Sequence, residues 1–224
     1  MKFLLYLLAA ASLLPLTGCA QTTDTKTPDQ QVDGSCEGCQ AIYESPVPFE
    51  QLETMIWLQD WKEKERYPNR PGVKLAVNGT VYHPDGSPAA GVVIYIYHTD
   101  QTGVYPTNGD EKGWDKKHGY LRGWMRTNEK GEYKFFTLRP APYPGGQAPA
   151  HIHAIIKEPG KSAYWIDEYL FDDDTLLAEA ARKELPDRGG SGILKIPARY
   201  KGMHMQKSER NIYLGKNIPG YPAS

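Results

Sequence analysis

Arg139-Pro-Ala-Pro-Tyr-Pro-Gly-Gly-Gln-Ala-Pro-Ala-His-Ile-His153 places one tyrosine and two histidines within fifteen residues. In the run His151-Ile-His-Ala-Ile-Ile156, polar or small positions alternate with isoleucine, which is the pattern of a β-strand. Residues i and i+2 of a strand share a face, with Cα atoms roughly 6.6 Å apart, so both imidazoles can lean onto one ion. A bare His-x-His is equally the mark of a solvated strand face. Tyr143 shifts the reading toward a metal site. It lies eight residues before His151, between Pro142 and Pro144, and these prolines hold the backbone extended and withhold amide donors.

Working outward, residues 73 to 171 read as a series of short strands. Val73-Lys-Leu-Ala-Val77 leads into Gly79-Thr-Val-Tyr82, then the turn His83-Pro-Asp-Gly-Ser-Pro88 and the strand Val92-Val-Ile-Tyr-Ile-Tyr-His98. Tyr120 to Thr127, the turn Asn128-Glu-Lys-Gly131 and Glu132-Tyr-Lys-Phe-Phe-Thr137 carry a hairpin signal. The His-x-His strand and Tyr164 to Phe171 follow. Strands separated by turns, without alternating long helices, point to an all-β antiparallel sandwich with long loops and minor helical segments. The 22 glycines and 18 prolines of the 224 residues favour the same architecture.

A net charge of -1, with no charge run, argues against a nucleic-acid partner. At the N-terminus, Lys2 and the apolar run Phe3 to Leu16 read as a secretion signal over 1–18. Leu16-Thr-Gly-Cys19 is similar to the bacterial lipobox, which implies lipidation of Cys19 and a membrane-anchored protein of the bacterial envelope. Residues 19–45 are polar and are expected to form a flexible tether. Within it, Cys36-Glu-Gly-Cys39 is expected to form a local disulfide in an exported protein; a redox-active pair or half a zinc site is the alternative. Residues 46–72 form a cover segment, helical or irregular, in which Phe49, Leu52, Ile56, Trp57 and Trp61 loosely follow one helical face.

The motifs Gly79-Thr-Val, Asp85-Gly-Ser-Pro88, His98-x4-Gly103-x-Tyr105, Arg122-Gly123-x3-Thr127-x3-Gly131-x-Tyr133-x-Phe135 and Pro140-x2-Tyr143 with Pro149-Ala-His-Ile-His153 occur in this order. Together, over residues 73–172, they resemble the intradiol ring-cleavage dioxygenases. The resemblance implies a mononuclear non-haem Fe(III) held by Tyr105, Tyr143, His151 and His153. It also implies a catechol-type substrate, cleaved with O2 between its two hydroxyl-bearing carbons to a muconate-type diacid. Two phenolates suit a trivalent ion: tyrosine ionises near 10 in water, and a bound cation favours the anionic oxygen.

The chain departs from the family at two places. Many members carry an arginine directly before Pro-Ala-His-Ile-His, where Ala148 stands here, and a glutamine some fourteen residues after the second histidine, where Asp167 or Glu168 stands. Arg122 and Arg139, close in sequence to the site-forming segments, are candidates to supply the missing cation. His98 is expected to be structural, and His83, His118 and His204 sit in turn or loop contexts. Asp172-Asp-Asp174 is expected to cap a helix over Thr175 to Leu185 within a C-terminal segment, residues 173–224. Asp187-Arg-Gly-Gly-Ser-Gly192 reads as a flexible connection, and Asn211-Ile-Tyr-Leu-Gly215 as a last strand. A non-catalytic, envelope-anchored β-sandwich that retains a metal site, or copper or zinc at the same histidines, are the rival readings.

Overall fold

Alternating burial along the strands divides the chain between two facing sheets. The computed structural model describes residues 36, 38–58, 72–197, 199 and 205–222. The signal, Cys19, most of the tether, Trp61 and His204 lie outside the described residues. In chain order the strands are β1 (Met55–Trp57), β2 (Lys74–Tyr82), β3 (Val93–His98), β4 (Arg122–Arg126), β5 (Glu132–Leu138), β6 (His151–Lys157), β7 (Tyr164–Trp165), β8 (Tyr169–Phe171), β9 (Ile193–Leu194), β10 (Met205–Glu209) and β11 (Ile212–Tyr213). Two short helices, α1 (Gly113–His118) and α2 (Glu179–Lys183), interrupt them.

One sheet runs β1-β5-β2-β10, with β11 also on β2; the other runs β4-β3-β6-β8-β9, with β7 on β6. The pairs at the centre of each sheet are antiparallel, giving the all-β sandwich expected. Parallel strands extend the edges: β1 on β5, β10 and β11 on β2, and β9 on β8. Between the sheets, Ile94 and Ile96 of β3 and Ile152, Ala154 and Ile156 of β6 pack with Leu75, Val77, Tyr133 and Phe135. The opposite face of β3, through Val93 and Tyr95, is covered by Cys39, Ala41 and Ile42. That double covering explains why β3 is apolar at nearly every position instead of alternating.

Several expectations are corrected. Strands β4 and β5 do not form a hairpin. β4 pairs with β3 in one sheet and β5 with β2 in the other, so the Asn128–Gly131 turn is a corner between sheets. Asn128 Oδ1 accepts the Lys130 and Glu132 amides, which closes the turn locally without dictating which strands then pair. The last residues of the expected tether are packed structure: Cys36 and Cys39 are joined as a disulfide, and Cys39–Glu44 is a 3-10 helix with Ile42 fully buried. The cover segment contributes a 3-10 turn at Phe49–Gln51 and strand β1 in place of a helix.

The aspartate run does not cap α2, whose N-cap is Ala178. Tertiary contacts take all three carboxylates: Asp172 accepts the Ile196 amide, Asp173 pairs with Arg139, and Asp174 accepts the amides of Ala150 and Leu176. With the caps committed elsewhere, only Glu179–Lys183 is helical. Among the described residues, no helix is long and apolar enough to cross a membrane.

His98, fully buried at the end of β3, has both ring nitrogens engaged: Nδ1–H donates to the Thr99 carbonyl (2.7 Å) and Nε2 accepts from the Thr137 hydroxyl (2.7 Å). Burial pushes its pKa from the usual 6.5 down to about 4. The unfolded chain therefore binds this proton between those two values while the folded chain does not. His98 thus lowers stability as pH falls from 6.5 toward about 4, and its effect is complete below that. Denaturant unfolding of wild type and His98→Asn at pH 7.5 and 4.5 checks this. The variant should show a smaller acid-induced loss, and an equal loss would contradict the assignment.

Candidate metal centre

The loops bearing the two tyrosines are fastened to each other. Ala141 N–H donates to the Asp100 carbonyl (3.0 Å), and the Thr99 hydroxyl donates to the Ala141 carbonyl (2.8 Å). Asp100 Oδ1 accepts both the amide and the hydroxyl of Thr102, tightening the turn toward Tyr105. Gly103 completes that turn at φ 78°, and a Cβ there would run into the Pro142 carbonyl. A third tie holds the start of β6, where Asp174 Oδ2 accepts the Ala150 amide (2.7 Å) directly before His151.

These ties bring together the four residues that the sequence singled out. The Tyr105 and Tyr143 hydroxyls are 2.6 Å apart. His153 Nε2 lies 3.0 Å from the Tyr105 oxygen and 3.4 Å from that of Tyr143, and His151 Nε2 is 3.3 Å from Tyr143 Oη. His151 Nδ1–H donates to the Pro149 carbonyl (2.7 Å), which fixes the tautomer and turns a lone pair on Nε2 toward the tyrosines. His153 stacks on Tyr97 (4.5 Å between centroids), which stacks in turn on His118 (3.6 Å). Its Nδ1 faces Glu168 Oε1 at 3.7 Å. Burial, and then the neighbouring His151, push the His153 pKa down to about 3, so that ring is neutral.

Two phenol oxygens and two imidazole nitrogens, all half-buried and in mutual contact, make a donor set suited to a cation with an affinity for hard oxygen and nitrogen. Burial, and then the hydrogen bond to Tyr143, raise the Tyr105 phenol well above its usual 10, so a positive ion is needed to hold it as phenolate. Among the described residues no three histidine, cysteine, aspartate or glutamate side chains gather as a metal site.

Beside this cluster lies a cavity of about 290 Å³. Of the four donors only His153 lines it, with Tyr97, Trp114, Trp165 and His118 as aromatic walls and Glu168 and Arg188 as charged ones. Gly38 of the disulfide loop closes one side, next to the Trp114 ring. His118, assigned by sequence only to a loop context, ends α1 almost fully buried, with Nδ1 2.8 Å from the Tyr95 hydroxyl. Burial pushes it to about 4, hence neutral.

The two arginines proposed from sequence are not in this cavity. Arg139 makes a double contact with Asp173 (3.0 and 2.7 Å), donates to Gln206 and lies over the Phe171 ring. Arg122 pairs with Asp115 and donates to the Gly119 carbonyl (2.7 Å). Both guanidinium groups are committed to structural partners. The residue that sequence reading missed is Arg188. The expected Tyr164–Phe171 strand breaks into β7 and β8 at Ile166-Asp-Glu168, and Asp167 at that break binds Arg188 (Nε to Oδ1, 2.8 Å). The Gly-Gly pair after Arg188, with φ 74° and 91°, was the available signal of a tight turn, where a flexible link had been expected.

Fold and donor set together describe a β-sandwich with a candidate mononuclear metal centre on the outer face of one sheet. Residues 57–187, more than half of the chain, match the family described as Dioxygenase. The chain is 26% identical over 175 residues to catechol 1,2-dioxygenase 1 of Acinetobacter lwoffii, covering 67% of this chain and 55% of that protein. It is 30% identical over 147 residues to intradiol ring-cleavage dioxygenase prcA of Aspergillus niger, covering 58% and 43% respectively. Among solved structures, catechol 1,2-dioxygenase from Acinetobacter sp. ADP1 shares the fold at TM-score 0.51 and 20% identity, over 71% of this chain and 56% of that one. Chlorocatechol 1,2-dioxygenase from Pseudomonas putida does so at TM-score 0.52 and 19% identity, over 75% and 66%. The chain belongs to the intradiol ring-cleavage dioxygenase family. It spans about half the length of the curated relatives it matches.

Because the Gly103 turn abuts Pro142, Gly103→Ala should displace the two tyrosine loops while leaving the sandwich folded. The expected outcome is a loss of bound metal of at least about fivefold, with a far-ultraviolet dichroism spectrum like wild type, since an incompatible left-handed position costs about 1–2 kcal/mol. Full metal content in the variant would contradict the role given to this contact.

Proposed function

We propose that the chain is an Fe(III)-dependent intradiol dioxygenase, cleaving a catechol-type aromatic ring between its two hydroxyl-bearing carbons with O2 to give a muconate-type diacid. The observation that carries this reading is the convergence of Tyr105, Tyr143, His151 and His153, in which Tyr143 Oη lies 2.6–3.4 Å from a polar atom of each of the other three and His153 Nε2 lies 3.0 Å from Tyr105 Oη. Two phenolates offset most of the ferric charge, and two neutral imidazoles complete the set. Bound there, the ion would act as Lewis acid and as template for a chelating diol.

The chain's own residues would do the rest. A catechol must lose two hydroxyl protons to chelate; Tyr143, touched by Tyr105, His151 and His153, is placed to receive one at Oη as a phenolate, and the other would pass to water. Tyr97 and the Pro149 carbonyl hold the two imidazole rings in orientation, so little rearrangement accompanies binding. Tyr97, Trp114 and Trp165 give the neighbouring cavity apolar walls that take an aromatic ring and displace water. Lipidation at Cys19, and with it an envelope location, belongs to the same proposal and rests on the Leu16-Thr-Gly-Cys19 motif alone.

Purified protein should hold about one iron per chain and be red to burgundy from tyrosinate-to-iron charge transfer. Tyr105→Phe should shift or bleach the visible band, and His151→Ala or His153→Ala should lower iron occupancy, because a four-ligand site loses one donor. Zinc or copper in place of iron, or wild-type colour and iron content in all three variants, would overturn the reading.

A further inference from the structure

We propose that Arg188 is a specificity-determining residue of the cavity and selects aromatic diols that carry a carboxylate substituent; the inference rests on the diol-cleaving reading above. Three bonds to Asp167 immobilise this arginine. Arg188 N–H donates to Asp167 Oδ2 (3.0 Å), Arg188 Nε–H donates to Oδ1 (2.8 Å), and the Asp167 amide donates to the Arg188 carbonyl (3.0 Å). Asp167 is itself only 4% exposed. The turn behind Arg188 is equally constrained: Gly189 N–H donates to the Lys216 carbonyl (2.8 Å), and Gly189 packs on Ile166 where no side chain would fit.

This arrangement uses one edge of the guanidinium. The Nη1 and Nη2 groups have no acceptor among the described residues, and Arg188 lines the same cavity as the donor histidine His153. A planar fork with one edge held by a buried carboxylate and the other edge open is suited to paired contact with a second carboxylate. Of the described residues lining the cavity, Arg188 is the one with a permanent positive charge, since His118 is neutral. The other charged wall, Glu168, faces His153 Nδ1. Asp167 offsets much of the Arg188 charge, so the open Nη edge would hold an anion by directed hydrogen bonds, while Glu168 repels it at the other end, which orients a substituted ring as well as selecting it. Preorganisation matters because the ordering cost of a long side chain is already met before the ligand arrives.

The test is anaerobic calorimetric titration of the iron-loaded full chain with catechol, 3,4-dihydroxybenzoate, its neutral amide and dopamine. Wild type should bind the benzoate about tenfold or more tightly than the amide, the usual effect of one charge-assisted contact. Arg188→Gln should abolish that preference, the ratio of benzoate to amide affinity falling to about one; the ratio is the readout because the substitution also takes the guanidinium from buried Asp167. Arg188→Lys, which keeps the charge, should retain part of the preference. Catechol affinity also reports whether each variant's cavity is intact. Equal binding of benzoate and amide by wild type, tighter binding of dopamine, or an unchanged preference in Arg188→Gln would overturn the inference while the diol-cleaving reading stood. Failure of every diol, catechol included, to bind wild type would sink both.

Discussion

The register between β6 and β3 is the constraint on which the rest of the site depends. Tyr97 stands opposite His153 and Ile96 opposite Ala154, so one face of β6 gives Ile152, Ala154 and Ile156 to the core and the other gives His151 and His153 to the outer surface. A slip of one residue would bury the histidines between the sheets and expose the isoleucines. The apolar face of the strand therefore fixes where the imidazoles point, and burial of those isoleucines, about 1.5–3 kcal/mol each, supports a site to which they contribute no donor atom. The His118–Tyr97–His153 stack is built on that register.

The chemistry of the donor cluster follows from its desolvation. A phenol out of water resists ionisation, as the upward shift at Tyr105 indicates, and a neutral imidazole out of water resists protonation, as the downward shift at His153 indicates. Left alone, the four groups hold their protons in hydrogen bonds to one another. A highly charged cation reverses the preference of the phenols and satisfies the imidazole lone pairs at once. The same burial that makes the cluster costly as a set of charges makes it selective for an ion able to offset that cost.

Much of this was legible in the residues, for physical reasons. Period-two alternation in 151–156 encodes a strand and its two faces, and short range was enough to link Tyr143 to both histidines. Tyr105 was reached only through its place in an ordered set of motifs, because no local periodicity marks a loop aromatic. What stayed hidden was non-local. The Asn128–Gly131 turn has the residues of a hairpin and yet joins two sheets, since turn chemistry fixes the turn and not the partners of the strands leaving it. Asp172–Asp174 has the composition of a helix cap, but its carboxylates are drawn to Ile196, Arg139 and Ala150, which are distant in sequence. Arg122 and Arg139 were chosen for sequence proximity, whereas Arg188 reaches the cavity because β8 and β9 pair in parallel on either side of its turn.

The cavity's aromatic walls, the disulfide loop at one side and the fixed guanidinium at another suit the proposed activity, in which a diol is held beside the four side chains and opened by O2. Product analysis after a reaction in isotopically labelled dioxygen tests that activity. Iron-loaded protein given a catechol should yield a ring-opened diacid in which both labelled oxygen atoms are incorporated, with scission between the two former hydroxyl carbons. Unreacted catechol under oxygen, or a semialdehyde formed by scission outside the two hydroxyl carbons, would contradict it.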